Sequence, residues 1–539
     1  MAGAETAAIR TPGAETAAPG GAHAPAGRYW NVPRAARAAA AAGGLAVIGA
    51  YLGIALARLG YPAHLEILEG NSLIEVHRIL AGQPLYPAPS ASYVPDGYPP
   101  LYFAVSAAVA SVLGQSFLPM RLVSLVASLA CFAILGRLAQ RETGSRAAGL
   151  AAAGLLAATY FAVGTWFDVG RVDSLFLALS VAGLYAARQS RGTRGAIVTG
   201  LVLGAAFCTK QSALAEGVAV IAALAAGRRR LAVPAALAFG AVTGGSTLAL
   251  GLASHGWYVY YVFGEMSQHA LSPVSASQFW ISELLPTLGI AIAAAVVGAR
   301  RTPLVLLAGC AALLVEGFAA RAQTGSNVND LLPAYLAVAL LAALAMGSRS
   351  PRAPRLVLLR QWAPVAASAL VLAQLGTLAE GFRLSQALPP NADRVAGQRL
   401  AAAARALGGT VAIPADPSIA VAAGLPPAED QVAAADVLRA SDERAKTIFT
   451  ASLAQAVAAK EFSAIITEYH GDLRGFPADL PRYYRRCPQA PHDGLLSVPL
   501  PPNAMPPPVS VWLPVGRGSC TAVARALGDT SRGQSGGSE

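Results

Sequence analysis

Apolar runs of about 18 residues or more recur through the first two thirds of this chain, with short arginine clusters between them. Such runs are read as helices through hydrocarbon, because only there can every side chain of a helix be apolar. Composition agrees: 55% of residues are hydrophobic and 13% charged, where soluble domains carry about 25% charged residues, and the mean hydropathy is +0.49. The net charge of +11 would suit a nucleic-acid partner. The position of the arginines excludes that reading, since clusters between apolar runs are the signature of cytoplasmic loops.

The runs fall at Arg37–Leu59, 98–114, 118–139, 147–165, 173–188, 195–209, 211–227, 231–253, 284–299, 302–319, 330–347 and 362–380. The basic clusters begin with Arg28, Arg34 and Arg37. They continue through Arg137, Arg141 and Arg146, then Arg188, Arg191 and Arg194, then Arg228 to Arg230, Arg300 and Arg301, and Arg349 to Arg360. If each cluster is cytoplasmic, the chain must cross an even number of times between neighbours. One run between Arg37 and Arg137 is then surplus. The stretch 98–114 is short, opens on Pro99 and Pro100 and ends at Gly114, so it is expected to lie at the outer face without crossing. The expected fold is an all-α polytopic membrane protein of about eleven spanning helices. The N-terminus is then cytoplasmic and everything after Glu380 extracytoplasmic.

After residue 380 the spanning runs stop. TVAIP at 410–414, SAIITEY at 463–469 and VSVWLPV at 509–515 are predicted strands, and a helical pattern runs through about 432–460. The expected division is a disordered tail over 1–35, where GAETAA repeats at 3–8 and 13–18 without the apolar core of a secretion signal. A membrane part over 36–380, a small extracytoplasmic α/β domain over 381–525 and a disordered tail over 526–539 follow. Cys131, Cys208 and Cys310 lie in apolar runs and read as small hydrophobes, and no cysteine or histidine spacing suggests a metal site. Cys487 and Cys520 are the pair in the polar C-terminal part. Outside the cell they are expected to bridge, stapling the Pro-rich segment 498–508; the alternative is two free thiols.

Chemistry-bearing residues collect at the predicted outer ends of the helices. The first outer loop, 60–117, carries Glu66, Glu69, Glu75, His77 and Arg78. An acid at the membrane boundary can have a raised pKa and act as a base on a substrate arriving from the lipid side. Glu69 is the candidate for that role; Glu66 and Glu75 read more simply as solvated loop charges. The second loop places Asp168, Arg171 and Asp173 at a helix start. They are either an ion pair that orders the turn or the polar wall of a substrate cavity, with Arg171 available for phosphate. At the next turn Lys210 and Gln211 interrupt an apolar stretch; the lysine either snorkels to the interface or holds a phosphate. Two further loops carry Tyr258, Tyr260, Tyr261 and His269, and then Arg321, Asn327, Asn329 and Asp330.

These loops resemble the GT-C glycosyltransferases, polytopic enzymes that use polyprenyl-phosphate sugars. The similar groups are glycosyltransferase family 39, the protein O-mannosyltransferases, and the bacterial aminoarabinose and lipopolysaccharide-core sugar transferases. The shared pattern is an acid after the first helix, then Arg, Gly and Tyr, then Pro-Pro-Leu-Tyr. Here it is met by Glu69–Gly70, Arg78, Gly82, Tyr86 and Pro99–Pro100–Leu101–Tyr102, with RVDSLFLAL as the second-loop acid and helix. The likeness covers about 40–220. It departs where the family often has adjacent Asp-Glu, since position 68 is Leu, so the carry-over rests on Glu69 and a metal site needing both acids is not supported.

The resemblance implies transfer of a hexosyl or pentosyl unit from a polyprenyl-phosphate donor to a hydroxyl of an envelope glycan, lipid or protein. Transfer would take place at the outer face of the inner (plasma) membrane, with inversion. It implies Glu69, with Asp173 and Asp168 in reserve, as catalytic, and Lys210, Arg171, Arg78, Glu66, Tyr102 and Gln211 as substrate-binding. No cofactor is needed by this chemistry, and a divalent metal is not excluded. The rival expectation is a transporter or flippase for a lipid-linked sugar, which would also bury charges among many helices. Charges gathered at one face and a C-terminal outer domain speak for the enzyme.

Overall fold

The computed structural model describes residues 32–300, 302–347, 357–467, 473–487 and 510–526. Nearly all of the predicted N-terminal tail, the tail beyond 526 and the Pro-rich segment 498–508 lie outside the described residues. Each apolar run of the sequence is helical. In order the helices are α1 (Val32–Arg58), α2 (Glu69–Leu80), α3 (Leu101–Leu113), α4 (Phe117–Thr143), α5 (Arg146–Ala158), α6 (Asp173–Gln189), α7 (Thr193–Thr209), α8 (Ala213–Gly227) and α9 (Arg229–Ala253). Then come α10 (Leu285–Ala299), α11 (Leu304–Arg321), α12 (Leu332–Ala345) and α13 (Val357–Ala379).

Among the described residues, seven helical stretches are long and apolar enough to cross a membrane: Arg34–Arg58, Phe117–Thr143, Arg229–Ala253, Pro273–Ala299, Leu304–Arg321, Val328–Ala345 and Trp362–Ala379. The expectation of about eleven also drew on α5 to α8, which are 13, 17, 17 and 15 residues long. At ~1.5 Å per residue these reach only about 20–25 Å, short of the roughly 30 Å hydrocarbon core. They stop early because polar turns at their ends build a cavity. α3, with 13 residues, is likewise too short to cross, as its Pro-Pro start and Gly114 end predict.

Small residues bring the bundle close. A Cβ on Gly154 of α5 would lie 2.1 Å from Gly44 Cα of α1, so the two backbones meet directly and any larger residue would force them apart. The core around that crossing is alanine and leucine from α1, α4, α5, α6 and α12, closed by the aromatic cluster Tyr51, Phe132, Tyr160 and Phe167.

Three segments differ from the sequence expectation. The first outer loop contains α2, an amphipathic helix whose Leu73 and Val76 pack on Tyr102 and Phe103 of α3. The run predicted over 147–165 ends as helix at Ala158, and the chain then turns through Gly164 and Thr165 in left-handed geometry (φ 63° and 64°), which frees 159–172 to re-enter the site. The predicted loop 254–283 holds two π-helical turns, Tyr260–Glu265 and Phe279–Leu284.

The C-terminal part adds α14 (Asn391–Leu407), β1 (Thr410–Ala412), α15 (Gln431–Arg439), α16 (Glu443–Ala458), β2 (Phe462–Thr467), β3 (Tyr484–Arg486) and β4 (Ser510–Pro514). The three predicted strands are present, and β3 joins them in a sheet of order β1-β2-β4-β3, parallel between β1 and β2 and antiparallel elsewhere. Asp430 and Asp442 accept backbone N–H groups at the starts of α15 and α16, which breaks the single predicted helical pattern in two. Phe449, Leu453 and Val457 of α16 cover one sheet face and share a core with Tyr86 and Val94 of the loop between α2 and α3 and with Tyr258 and Tyr261 beyond α9, so this part is docked on the helix ends.

Cys487 and Cys520 are disulfide-bonded, with Cα atoms 5.4 Å apart and a sequence separation of 33. In the chain-entropy account a loop of that length is worth roughly 3–4 kcal/mol. Cys487→Ser is expected to lower the unfolding free energy of this part by about that amount, read by denaturant unfolding; peptide mapping without reductant checks the link itself.

Candidate active site

The short helices α5 to α8 leave a cavity of about 430 Å³ at their ends, roofed by α15. Among its walls are Glu66, Asp96, Arg171, Lys210, Gln211, Glu265, Glu316, Asp330 and Asp436. The predicted substrate-binding residues Glu66, Arg171, Lys210 and Gln211 thus meet in one place although they come from three separate turns, joined by His269, Asn327, Asn329 and Asp330 of the two later loops.

Lys210 lies where α7 ends and the chain turns into α8. Its Nζ donates to Asp173 Oδ1 at 3.0 Å and to Asp330 Oδ1 at 3.4 Å, and is buried. It is therefore not a snorkelling interfacial lysine: two carboxylates from different helices hold it inward. An ammonium has three hydrogens, so one donor remains for a ligand. Gln211 Nε2 donates to Gly97 O at 2.9 Å, which ties this turn to the first loop.

Arg171 is fully enclosed. Nη1 donates to Asp96 Oδ2 (3.4 Å), Nη2 to the Tyr98 hydroxyl (3.2 Å), and Nε lies 3.7 Å from Glu66 Oε2, with Trp166 and Tyr98 against the guanidinium. Asp96 is itself braced by Asn71 Nδ2 at 2.7 Å. Glu66 is only 6% exposed; its Oε2 accepts the Leu68 N–H at 3.1 Å, while Oε1 has no hydrogen-bond partner among the described residues. Burial raises its pKa to about 7 against the opposing pull of Arg171, which makes it a carboxyl that can both lose and take a proton near neutrality.

Glu69 is placed differently from the expectation. It forms no wall of the cavity. Arg121 Nε and Nη2 each donate to it at 2.8 Å, and the Gly170 and Leu65 N–H groups at 2.6 and 2.7 Å. Burial pushes its pKa up, but Arg121 and these hydrogen bonds outweigh that and hold it below the ordinary carboxylate value. All its acceptor directions are used, so it has no oxygen to offer a substrate hydroxyl. Arg121, 52 residues further on, was the partner that sequence reading could not supply.

Asp168 does not line the cavity and is paired with Arg58 Nε of α1 (2.8 Å) and the Tyr160 hydroxyl (2.9 Å), so neither the pair within its own turn nor the cavity wall describes it. Asp173 reaches the site only through Lys210 and Asn329. Two further expectations are corrected by position. Arg78 stacks on Tyr93 and donates twice to Pro84 O, bracing its own loop, and Tyr102 is buried with its hydroxyl on Met120 O and Ser124. Neither lines the cavity. Asp96, Glu265 and Asp436 do, and carried little signal: Asp96 sits in a Pro/Gly turn sequence, Glu265 follows aromatics that read as interface anchors, and Asp436 lies in the C-terminal part.

The site is thus built from a small-residue helical bundle, the short helix pair α2 and α3, and a polar cavity under a C-terminal roof. The sequence matches the dolichyl-phosphate-mannose-protein mannosyltransferase family over residues 97–258, which run from the cavity loop to just beyond α9. Fold and family match together support a membrane glycosyltransferase of the GT-C superfamily, as the loop motifs suggested. In particular, the chain is similar to ArnT from Cupriavidus metallidurans in the apo state, with TM-score 0.59 and 12% identity over 87% of this chain and 97% of that one. The same protein bound to undecaprenyl phosphate superposes with TM-score 0.58 over the same shares. At this identity the likeness is one of fold. No curated protein matches the sequence.

Proposed function

We propose that this chain transfers a sugar from a polyprenyl-phosphate donor to a hydroxyl of an envelope acceptor at the outer face of the membrane, with inversion. The observation that carries the reading is the cavity where Arg171 and Lys210, each with donor hydrogens left over, face Glu66 with its free oxygen. The carrier phosphate takes the remaining donors of Lys210 and Arg171. The acceptor O–H gives its proton to Glu66 Oε1 as its oxygen attacks the anomeric carbon. The bond from that carbon to the phosphate oxygen breaks, and the phosphate leaves with the electron pair into the field of the two cations. No step is routed through a metal, because the departing charge already has protein cations beside it. The solved relative with undecaprenyl phosphate supports a donor of this chemistry. The N-terminus is then cytoplasmic and the sheet-bearing C-terminal part extracytoplasmic.

The purified chain incubated with a panel of polyprenyl-phosphate sugars and an envelope extract that supplies acceptor hydroxyls should release the polyprenyl phosphate and pass the sugar to the acceptor. Lipid-linked sugar moved across a vesicle membrane without consumption would mark a transporter instead. Lys210→Met keeps the apolar stem and removes the charge. It is expected to weaken undecaprenyl phosphate binding about 10- to 100-fold, the worth of a hydrogen bond between charged groups. Unchanged binding would remove Lys210 from the donor site.

A further inference from the structure

Glu265 has no part in the steps above. It ends the π-helical turn Tyr260–Glu265, an uncommon geometry that recurs at functional sites. It is 1% exposed and lines the cavity, and its Oε1 has no hydrogen-bond partner among the described residues. Gly97 makes room for it: a Cβ there would come within 3.0 Å of Tyr261 O and 3.5 Å of Glu265 Oε2. Across the cavity, α15 contributes Asp436, whose Oδ1 pairs with Arg439 and lies 3.9 Å from His269 Nε2. Burial raises the Glu265 pKa well above the ordinary value, with Asp436 and Asp96 adding to it, and raises that of Asp436 to about 7.

A buried carboxyl oxygen with no donor is destabilising unless a ligand supplies one. No cation among the described residues reaches Glu265 Oε1, and Arg439 is held by Asp436. What remains is a pair of acceptors in the lining of a cavity that also holds the phosphate cations. A sugar ring presents hydroxyls on adjacent carbons, and a carboxyl group can meet two of them, its carbonyl oxygen accepting from one and its second oxygen accepting from another or, when protonated, donating to it.

We propose that Glu265 and Asp436 form the sugar-recognition side of the cavity, accepting hydrogen bonds from ring hydroxyls of the transferred sugar and so setting which sugar is accepted. This rests on the glycosyl-transfer reading. It also gives the C-terminal part a direct role, since the selecting residue Asp436 is supplied by α15.

The test uses the full-length chain in lipid nanodiscs and two polyprenyl-phosphate donors that differ in the configuration of one ring hydroxyl. The readout is the ratio of their kcat/KM values. Glu265→Gln keeps the size of the side chain but replaces one acceptor by a donor, and should shrink the ratio about tenfold or more. Asp436→Asn, at the less enclosed edge, should shrink it in the same direction, and undecaprenyl phosphate should bind both variants as it binds the unaltered chain. Ratios preserved in both variants, or a loss of undecaprenyl phosphate affinity in step with turnover, would overturn the assignment. If the unaltered chain binds undecaprenyl phosphate yet consumes no donor of the panel, the glycosyl-transfer reading falls first and this one with it.

Discussion

Glu66→Gln is expected to lower turnover by about two to four orders of magnitude, the usual contribution of a positioned general base. Undecaprenyl phosphate affinity should be nearly unchanged, because the substitution leaves Arg171 and Lys210 in place. Glutamine reproduces the acceptor for the Leu68 N–H, so folding has little reason to suffer. The pH dependence supplies an independent check. The base form is the deprotonated one, and burial has lifted the carboxyl to about 7. Turnover should therefore be full above that pH and fall about tenfold per unit below it, where the proton is already in place. In Glu66→Gln the residual rate should lose that inflection. A variant that keeps turnover within a few-fold of the unaltered chain, with the inflection intact, would move the base to another wall of the cavity, with Asp96 next in line.

The membrane helices were legible because hydrocarbon imposes a single requirement on every residue of a span, and an apolar run announces itself without reference to any other part of the chain. α2 was not, since Glu69, Glu75, His77 and Arg78 give it the composition of a loop while its apolar stripe is only a few residues long. The same contrast holds in the site. Lys210 and Arg171 stood out because a charge inside an apolar stretch is costly and needs an explanation. Glu265 and Asp436 lie in surroundings where an acid needs none, and their meeting depends on α15 docking over helix ends more than a hundred residues away in sequence. The choice between Glu66 and Glu69 shows the limit most sharply. Three residues apart in one loop, they differ only in what the fold brings to them: Arg121 and two backbone amides for Glu69, a single amide and a distant guanidinium for Glu66.

Glu69→Gln is accordingly expected to be a stability variant. Arg121 and Glu69 are both completely buried, and Arg121 also donates to Tyr61 O at 2.5 Å and Ala63 O at 2.6 Å, so the pair fixes the segment between α1 and α2 as well as itself. Neutralising one member leaves the other charge enclosed without its counter-ion, which costs roughly 3–5 kcal/mol. Thermal unfolding of the purified chain should show this as a lowered Tm, with turnover lost only in proportion to the folded fraction. Arg121→Met alone should be similarly damaging for the mirror reason. The double variant Glu69→Gln with Arg121→Met removes both charges, and should be less destabilised than the sum of the two, because neither is left unpaired. That non-additivity distinguishes a buried pair from two independent lesions. A Glu69→Gln chain with an unchanged Tm and turnover reduced a hundredfold or more would contradict the structural role and return Glu69 to the position of the base.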